Sequence, residues 1–302
     1  MLGGYCARKR APDARRGPAE CLGGCAVVGV PVSVCVPAFN AARTITETID
    51  SIRAQEFGDF EIVVLDNAST DGTGELVRSI DDERIRLHSN DTVLPMTQNW
   101  NRVMSLAGGE LVKLVCADDL ITPDCLSAQV ETLRDPRIAV AGAKFDIIDD
   151  DGTVLARARG LAGLIGRKSS RAALRTFVRR LPDDLCPTAA FLFRRREFEA
   201  TGGFRTDFFY AMDIDLIARL CAHGAFYGHN RPLAVNRASI FNHSSTTSTL
   251  SKFSDVVRFN HHARREYRDL VRPVDVLAGD ATVVRQALVR LGARARQLAG
   301  RG

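Results

Sequence analysis

The chain has 302 residues, 45% hydrophobic and 25% charged, with a formal net charge of +5. That is enough apolar sequence to bury a sizeable core, in one large α/β domain or two smaller ones. The excess charge sits at the ends (Arg8, Lys9, Arg10, Arg15 and Arg16; Arg285, Arg290, Arg294, Arg296 and Arg301). The middle lacks the basic face of a nucleic-acid binder, so no nucleic-acid partner is expected.

Eight cysteines are scattered along the chain. Cys35 and Cys116 fall inside expected strands and read as small core residues. Cys21 and Cys25 form the only close pair, with no second set to complete a zinc site. A reducing, cytoplasmic compartment follows from this usage.

Residues 1–30 are rich in Gly, Pro, Ala and Arg without periodicity, so a disordered basic segment is expected. The uncharged run Cys21–Phe39 contains three glycines and two prolines, poor material for a membrane helix. The folded part opens with a strand at Val32–Val36. Ile45, Ile49 and Ile52 then recur at helical spacing. Phe60–Leu65 reads as a buried strand ending at Asp66, and Asn67–Thr73 as a turn offering several N-caps. A strand at Arg84–His88 and a helix at Met96–Leu106 lead to the apolar strand beginning at Leu111, which ends in Asp118 and Asp119. Strands alternating with helices at these lengths predict a mostly parallel, Rossmann-like sheet flanked by helices.

Asn40, Asp66, Asp118 and Asp119 all stand just past the C-terminal ends of expected strands. An open α/β sheet gathers such positions along one edge, where ligands bind. Two adjacent carboxylates repel unless a cation separates them, and a hard divalent metal carrying phosphates is a natural partner.

Further along, Ile138–Ile148 predicts a strand or a pair of strands. Asp149-Asp150-Asp151-Gly152 reads as a solvated hairpin turn, because the fuller calcium-loop pattern is missing. A basic segment with a helix at Ser170–Leu181 follows, where variable, acceptor-facing structure is expected. Thr188–Phe193 reads as a strand. Ile214, Ile217, Leu220 and Cys221 form one face of a helix stopped near Gly224. On it, Asp213 and Asp215 point about 200° apart and cannot share a task. Asp215 has Arg219 one turn on as an ion-pair partner. Asp213 lies in the first turn, where the helix dipole favours an anion. Phe241–Ser248 is a polar loop carrying His243. His261 and His262 are expected on a solvated helix. Thr282–Leu298 predicts an amphipathic helix, with packing on the domain favoured over peripheral membrane contact.

Val32–Asn40, Phe60–Thr73, Cys116–Asp119 and Met212–Leu216 together resemble the family 2 glycosyltransferases of the GT-A fold. The likeness runs from about Pro31 to Ser248, making 31–250 the expected domain, preceded by segment 1–30 and followed by a helical basic extension at 251–302. The resemblance implies an inverting enzyme that moves a sugar from a nucleotide-diphosphate donor to an acceptor hydroxyl, in polysaccharide or glycoconjugate synthesis. It implies that Pro37, Ala38 and Asn40 border the nucleotide and that Asp66 meets the base. Asp118 would lie near the ribose or sugar, and Asn101 along the donor site. Asp119 would ligate Mn2+ or Mg2+, with His243 reaching the metal or diphosphate, and Asp213 would act as the general base. Met212 departs from the family's usual Glu. Asn242 stands near a position often held by Arg, which would leave diphosphate neutralisation to the metal alone. The expected partners are the donor and a glycan or lipid-linked acceptor, at the inner face of a membrane if peripheral contact is made. A sugar-nucleotide pyrophosphorylase or a non-catalytic sugar-binding module are the rivals. The first wants a Gly-rich phosphate loop after the first strand, and Pro37–Asn40 has no glycine. The second would have lost Asp119 or Asp213.

Overall fold

Strand β1 (Val32–Ala38) is buried on both faces, which an alternating pattern could not tolerate and its apolar run does. It is the middle of the parallel half of a ten-stranded sheet in this computed structural model, which describes residues 31–180, 185, 187–239 and 248–299, with side chains to 289. Segment 1–30, Asn242 and His243 lie outside those residues.

On one side β1 pairs in parallel with β2 (Phe60–Asp66), which in turn pairs with β3 (Ile85–Ser89). On the other it pairs in parallel with β4 (Leu111–Leu114). Helices α1 (Ile45–Arg53), α2 (Thr73–Arg78) and α3 (Met96–Ser105) make the crossovers. Gly109 is tied to this core by close contact. A Cβ there would stand 2.6 Å from the Ser33 nitrogen, and its own N–H donates to Ser33 Oγ. Lys113 is fully buried in β4, and its ammonium donates to Gln129 Oε1 at 2.8 Å and to the Phe191 carbonyl at 3.0 Å.

The second half is mixed. After the short β5 (Leu120–Ile121) and α4 (Cys125–Leu133) come β6 (Ile138–Ile148), β7 (Val154–Arg159), β8 (Gly166–Lys168) and α5 (Ser170–Arg179). A 3-10 turn at Thr188–Ala190 leads to β9 (Phe191–Arg194), α6 (Arg195–Thr201), α7 (Met212–Cys221) and β10 (Ala225–Arg237). The strand order is β3-β2-β1-β4-β9-β6-β10-β5, with β7 on β6 and β8 on β10. β9 runs antiparallel to β4 and β6, whereas β10 runs parallel to β6. Residues 149–152 close the β6–β7 hairpin, as their Asp-Gly ending predicts, with Gly152 at φ +81°. Strand β10 escapes sequence reading because His229-Asn230-Arg231-Pro232 looks like a turn. The structure carries it as register shifts within a continuous strand.

The C-terminal helices α8 (Thr249–Glu266) and α9 (Pro273–Ala299) pack onto the same body. Helix α9 begins at Pro273 rather than Thr282, with proline at its first turn, where no N–H is missed. Asp275 is fully buried there and pairs with Arg175 and Arg179 of α5. His261 bonds Asp280 at 2.9 Å and His262 bonds Glu266 at 3.0 Å, so both rings are anchored rather than merely solvated. No helix among the described residues is long and apolar enough to cross a membrane.

Candidate active site

The C-terminal ends of β1, β4, β6 and β10 and the first turn of α7 open onto one cleft of about 1010 Å³. Pro37, Ala38 and Asn40 line one side, Asp118 and Asp119 the floor, and Asp213 the opposite wall. Carboxylates separated by almost a hundred residues of chain thus face a common space. The strand-end rule brings the first group there, and the turn entering α7 delivers Asp213.

Asp119 is 3% exposed. Its Oδ1 accepts from Asn236 Nδ2 at 2.9 Å and from the Arg237 backbone N–H at 3.2 Å. Burial, followed by the neighbouring Asp118 carboxylate, pushes its carboxyl well above the usual range. Burial likewise raises Asp118, with Arg237 acting against it. One oxygen from each carboxylate lies within 4.8 Å of the other and of Cys116 Sγ. Cys116 therefore lies at the cleft and not in the core, a correction to its expected place: β4 ends at Leu114. Burial holds its thiol well above its ordinary value, so the oxygens are the donors that suit a hard divalent cation.

On α7 the two acids divide as their angular separation predicts. Asp215 turns inward, where Arg219 Nε donates to it at 2.9 Å in a pair buried on both sides. Asp213 faces the cleft and accepts the Ile214 N–H at 2.8 Å. Asn40 adopts φ +48°, a left-handed conformation that asparagine tolerates. Its Oδ1 accepts the Thr70 N–H, locking the β1 turn to the loop after β2.

One expected donor contact lies elsewhere. Asn101 does not line the cleft: its side chain donates to the Phe204 carbonyl and accepts the Phe204 N–H, clasping the loop after α6. It is Asn99, two positions earlier on α3, that reaches the wall. Asp66, at the end of β2, is buried and accepts the Ser69 N–H at 3.1 Å, and the next residue, Asn67, lines the cleft. Asn67 belongs to a chain of carboxamides in which Asn90 Nδ2 donates to both Asn67 and Asn99.

A family model, "Glycosyl transferase family 2", matches residues 33–202. The chain belongs to that family. An uncharacterized Mycobacterium tuberculosis protein, MT1568, is 30% identical over 231 residues, covering 72% of this chain and 69% of that protein. The Escherichia coli UDP-Glc:alpha-D-GlcNAc-diphosphoundecaprenol beta-1,3-glucosyltransferase WfgD is 27% identical over 123 residues, covering 41% of this chain and about half (49%) of its own length. Among solved structures, the Pyrobaculum calidifontis mannosyltransferase PcManGT in complex with GDP-Man and Mn2+ superposes with a TM-score of 0.56 at 22% identity. That superposition covers 90% of this chain and 81% of the other, which shows the GT-A fold.

In this family 2 glycosyltransferase several cleft residues escape sequence reading. Asp150 bonds Ser239 Oγ at 3.1 Å and lines the cleft, although its turn looks merely solvated. Arg43 lines the same cleft 3.8 Å from Asp150. Arg237, 3% exposed, donates to the carbonyls of Asp118, Asp149 and Asp150 and to Glu47 of α1. Asn242 lies outside the described residues, and among those residues the cleft lining thus includes two arginines. Their only sequence signal is position: Arg43 follows the first strand-end turn, and Arg237 ends a strand.

Proposed function

We propose that the cleft carries out inverting transfer of a sugar from a nucleotide-diphosphate donor to a hydroxyl of a glycan or lipid-linked acceptor, in polysaccharide or glycoconjugate synthesis. The observation that carries this reading is the shared cleft of Asp118, Asp119 and Asp213. PcManGT was solved with a nucleotide sugar and Mn2+, and the name of WfgD specifies a diphosphoundecaprenol-linked acceptor, which supports the same classes here.

Asp119, with Asp118 beside it, would hold Mn2+ or Mg2+, and His243 is a further candidate ligand. Bound there, the ion would stabilise the charge growing on the leaving diphosphate, worth about several kcal/mol. Asn236 and the Arg237 N–H hold one oxygen of Asp119, and a carboxylate so fixed would offer its other oxygen to the ion. Pro37, Ala38 and Asn40 border the nucleotide. The acceptor oxygen attacks the anomeric carbon, and its proton passes to the Asp213 carboxylate. The bond from the anomeric carbon to the diphosphate oxygen breaks with its electron pair, and the single displacement inverts the centre.

The test follows diphosphate release from a panel of nucleotide sugars with and without Mn2+. Asp213→Asn is expected to lower turnover about 10²–10⁴-fold while calorimetric donor affinity stays near wild type. Undiminished turnover would reject Asp213 as the base. Donor binding without turnover, across acceptors, would favour a binding module. Pyrophosphate-dependent release of a sugar 1-phosphate would favour the pyrophosphorylase.

A further inference from the structure

Helix α9 has two apolar faces, and among the described residues the domain covers only one. Asp275, Val276, Gly279 and Val283 are buried on the side toward α5 and α8. Val274, Leu277, Ala281, Val284 and Leu288 recur at spacings of three and four and face solvent, the four larger ones 52–68% exposed. In the sequence the same spacing continues through Leu291, Ala295 and Leu298. This is an a/d pattern sustained over four heptads, with Val274 at a and Leu277 at d. In that register the buried residues fall at b, c and f, opposite the seam. Among the described residues the domain therefore sits behind the stripe and along its g flank, where α8 holds Asp280 and Ala287 packs beside Val283, and the a and d positions themselves stay open.

We infer that the a/d stripe of α9 is the seam of a parallel two-stranded coiled coil with a second copy of this chain. A strict seven-residue repeat drifts about 20° per heptad around a straight helix, and it stays on one face only when a partner helix supercoils with it. A helix lying on lipid has no use for that spacing, because a broad apolar arc at 3.6 residues per turn serves it better. Charge selects the partner. Asp280 falls at g and Arg285 at e, the two flanks of the seam, five residues apart. That is the offset at which g of one strand meets e of the other in a parallel, in-register pair. Two-fold symmetry makes the contact twice, with opposite charges each time. Asp280 is held by Asn260 and His261 with its side chain 28% exposed, so it stands pre-positioned at the rim. In the sequence, Arg290 and Arg296 take register positions c and b, and Arg294 takes g. The two bodies, each behind its own helix, lie on opposite sides of the axis.

The full chain, run by size exclusion with light scattering at micromolar concentration, should show twice its 33.0 kDa mass. Leu277→Asp with Leu288→Asp should reduce it to a monomer whose circular dichroism still shows a folded domain, since both side chains are exposed in the single chain, with a melting temperature that no longer depends on protein concentration. Arg285→Glu should raise the dimer dissociation constant several-fold, and Asp280→Arg with Arg285→Glu should restore it. A monomeric wild type would overturn the inference. So would a dimer indifferent to the two aspartates, a folded charge-swap variant that is not restored, or a monomer that co-sediments with phosphatidylglycerol vesicles through this stripe.

Discussion

Asp119 cannot be understood from its neighbours in sequence. Its carboxylate is oriented by Asn236 and the Arg237 N–H, more than a hundred residues away. Removing the proposed metal ligand itself, as Asp119→Ala, should abolish metal-dependent donor binding in calorimetry. Removing only the orienting carboxamide is more informative. Asn236→Ala is expected to weaken metal-dependent donor binding about 10–100-fold, with metal-independent binding and fold unchanged, the usual cost of losing a group that aims a ligand. The carboxylates of this site were legible because each ends a strand or opens a helix, and the sheet rule converts that address into a place. Their partners were not. Nothing near Asn236 announces a role, and the Asn101 side chain is spent on Phe204, a contact no local pattern encodes.

Elements show the same division. Helix α7 was readable throughout: its apolar face, its stop, and the Asp215–Arg219 pair one turn apart. Burial raises the Asp215 carboxyl, and Arg219 opposes the shift, so the acid depends on its partner. Arg219 also donates to the Thr201 carbonyl, which joins α7 to the end of α6. Arg219→Met is expected to cost about 3–5 kcal/mol, because it strands a carboxylate away from water. Urea unfolding followed by circular dichroism measures this, and Asp215→Asn in the same background should recover part of the loss. By contrast β10 was illegible. Its middle has turn composition, and it is a strand only because β6 and β8 supply ladders on either side of the irregular stretch. Tertiary pairing overrides local preference there.

For the molecule as a whole, the parallel half of the sheet follows from alternating strand and helix signals, whereas the mixed half rests on non-local pairing. A histidine in that mixed half sets an acid dependence. His229 of β10 is partly buried against Thr132 of α4, with a hydrogen bond of 3.0 Å. Burial, and then Lys113, depress its pKa below the ordinary 6.5. The unfolded chain therefore takes up a proton near that value while the folded chain does not. Stability from this group is present above 6.5 and is lost as the pH falls below it. Melting temperature should drop between about pH 7.5 and about pH 5.5, and His229→Gln should flatten that slope. An unchanged slope would show that other groups govern the acid limb.

The family match ends at residue 202, yet Asp213, Asn236 and Arg237 lie beyond it. During synthesis on the ribosome, the carboxylates after β4 emerge long before the groups that aim and complement them. A chain stalled before Ala225 would carry the family's recognisable half and still lack the Asn236 carboxamide and the Arg237 N–H that hold Asp119. Order at Asp119 arrives late in translation, so an unfinished copy carries the cleft's carboxylates without the groups that fix them.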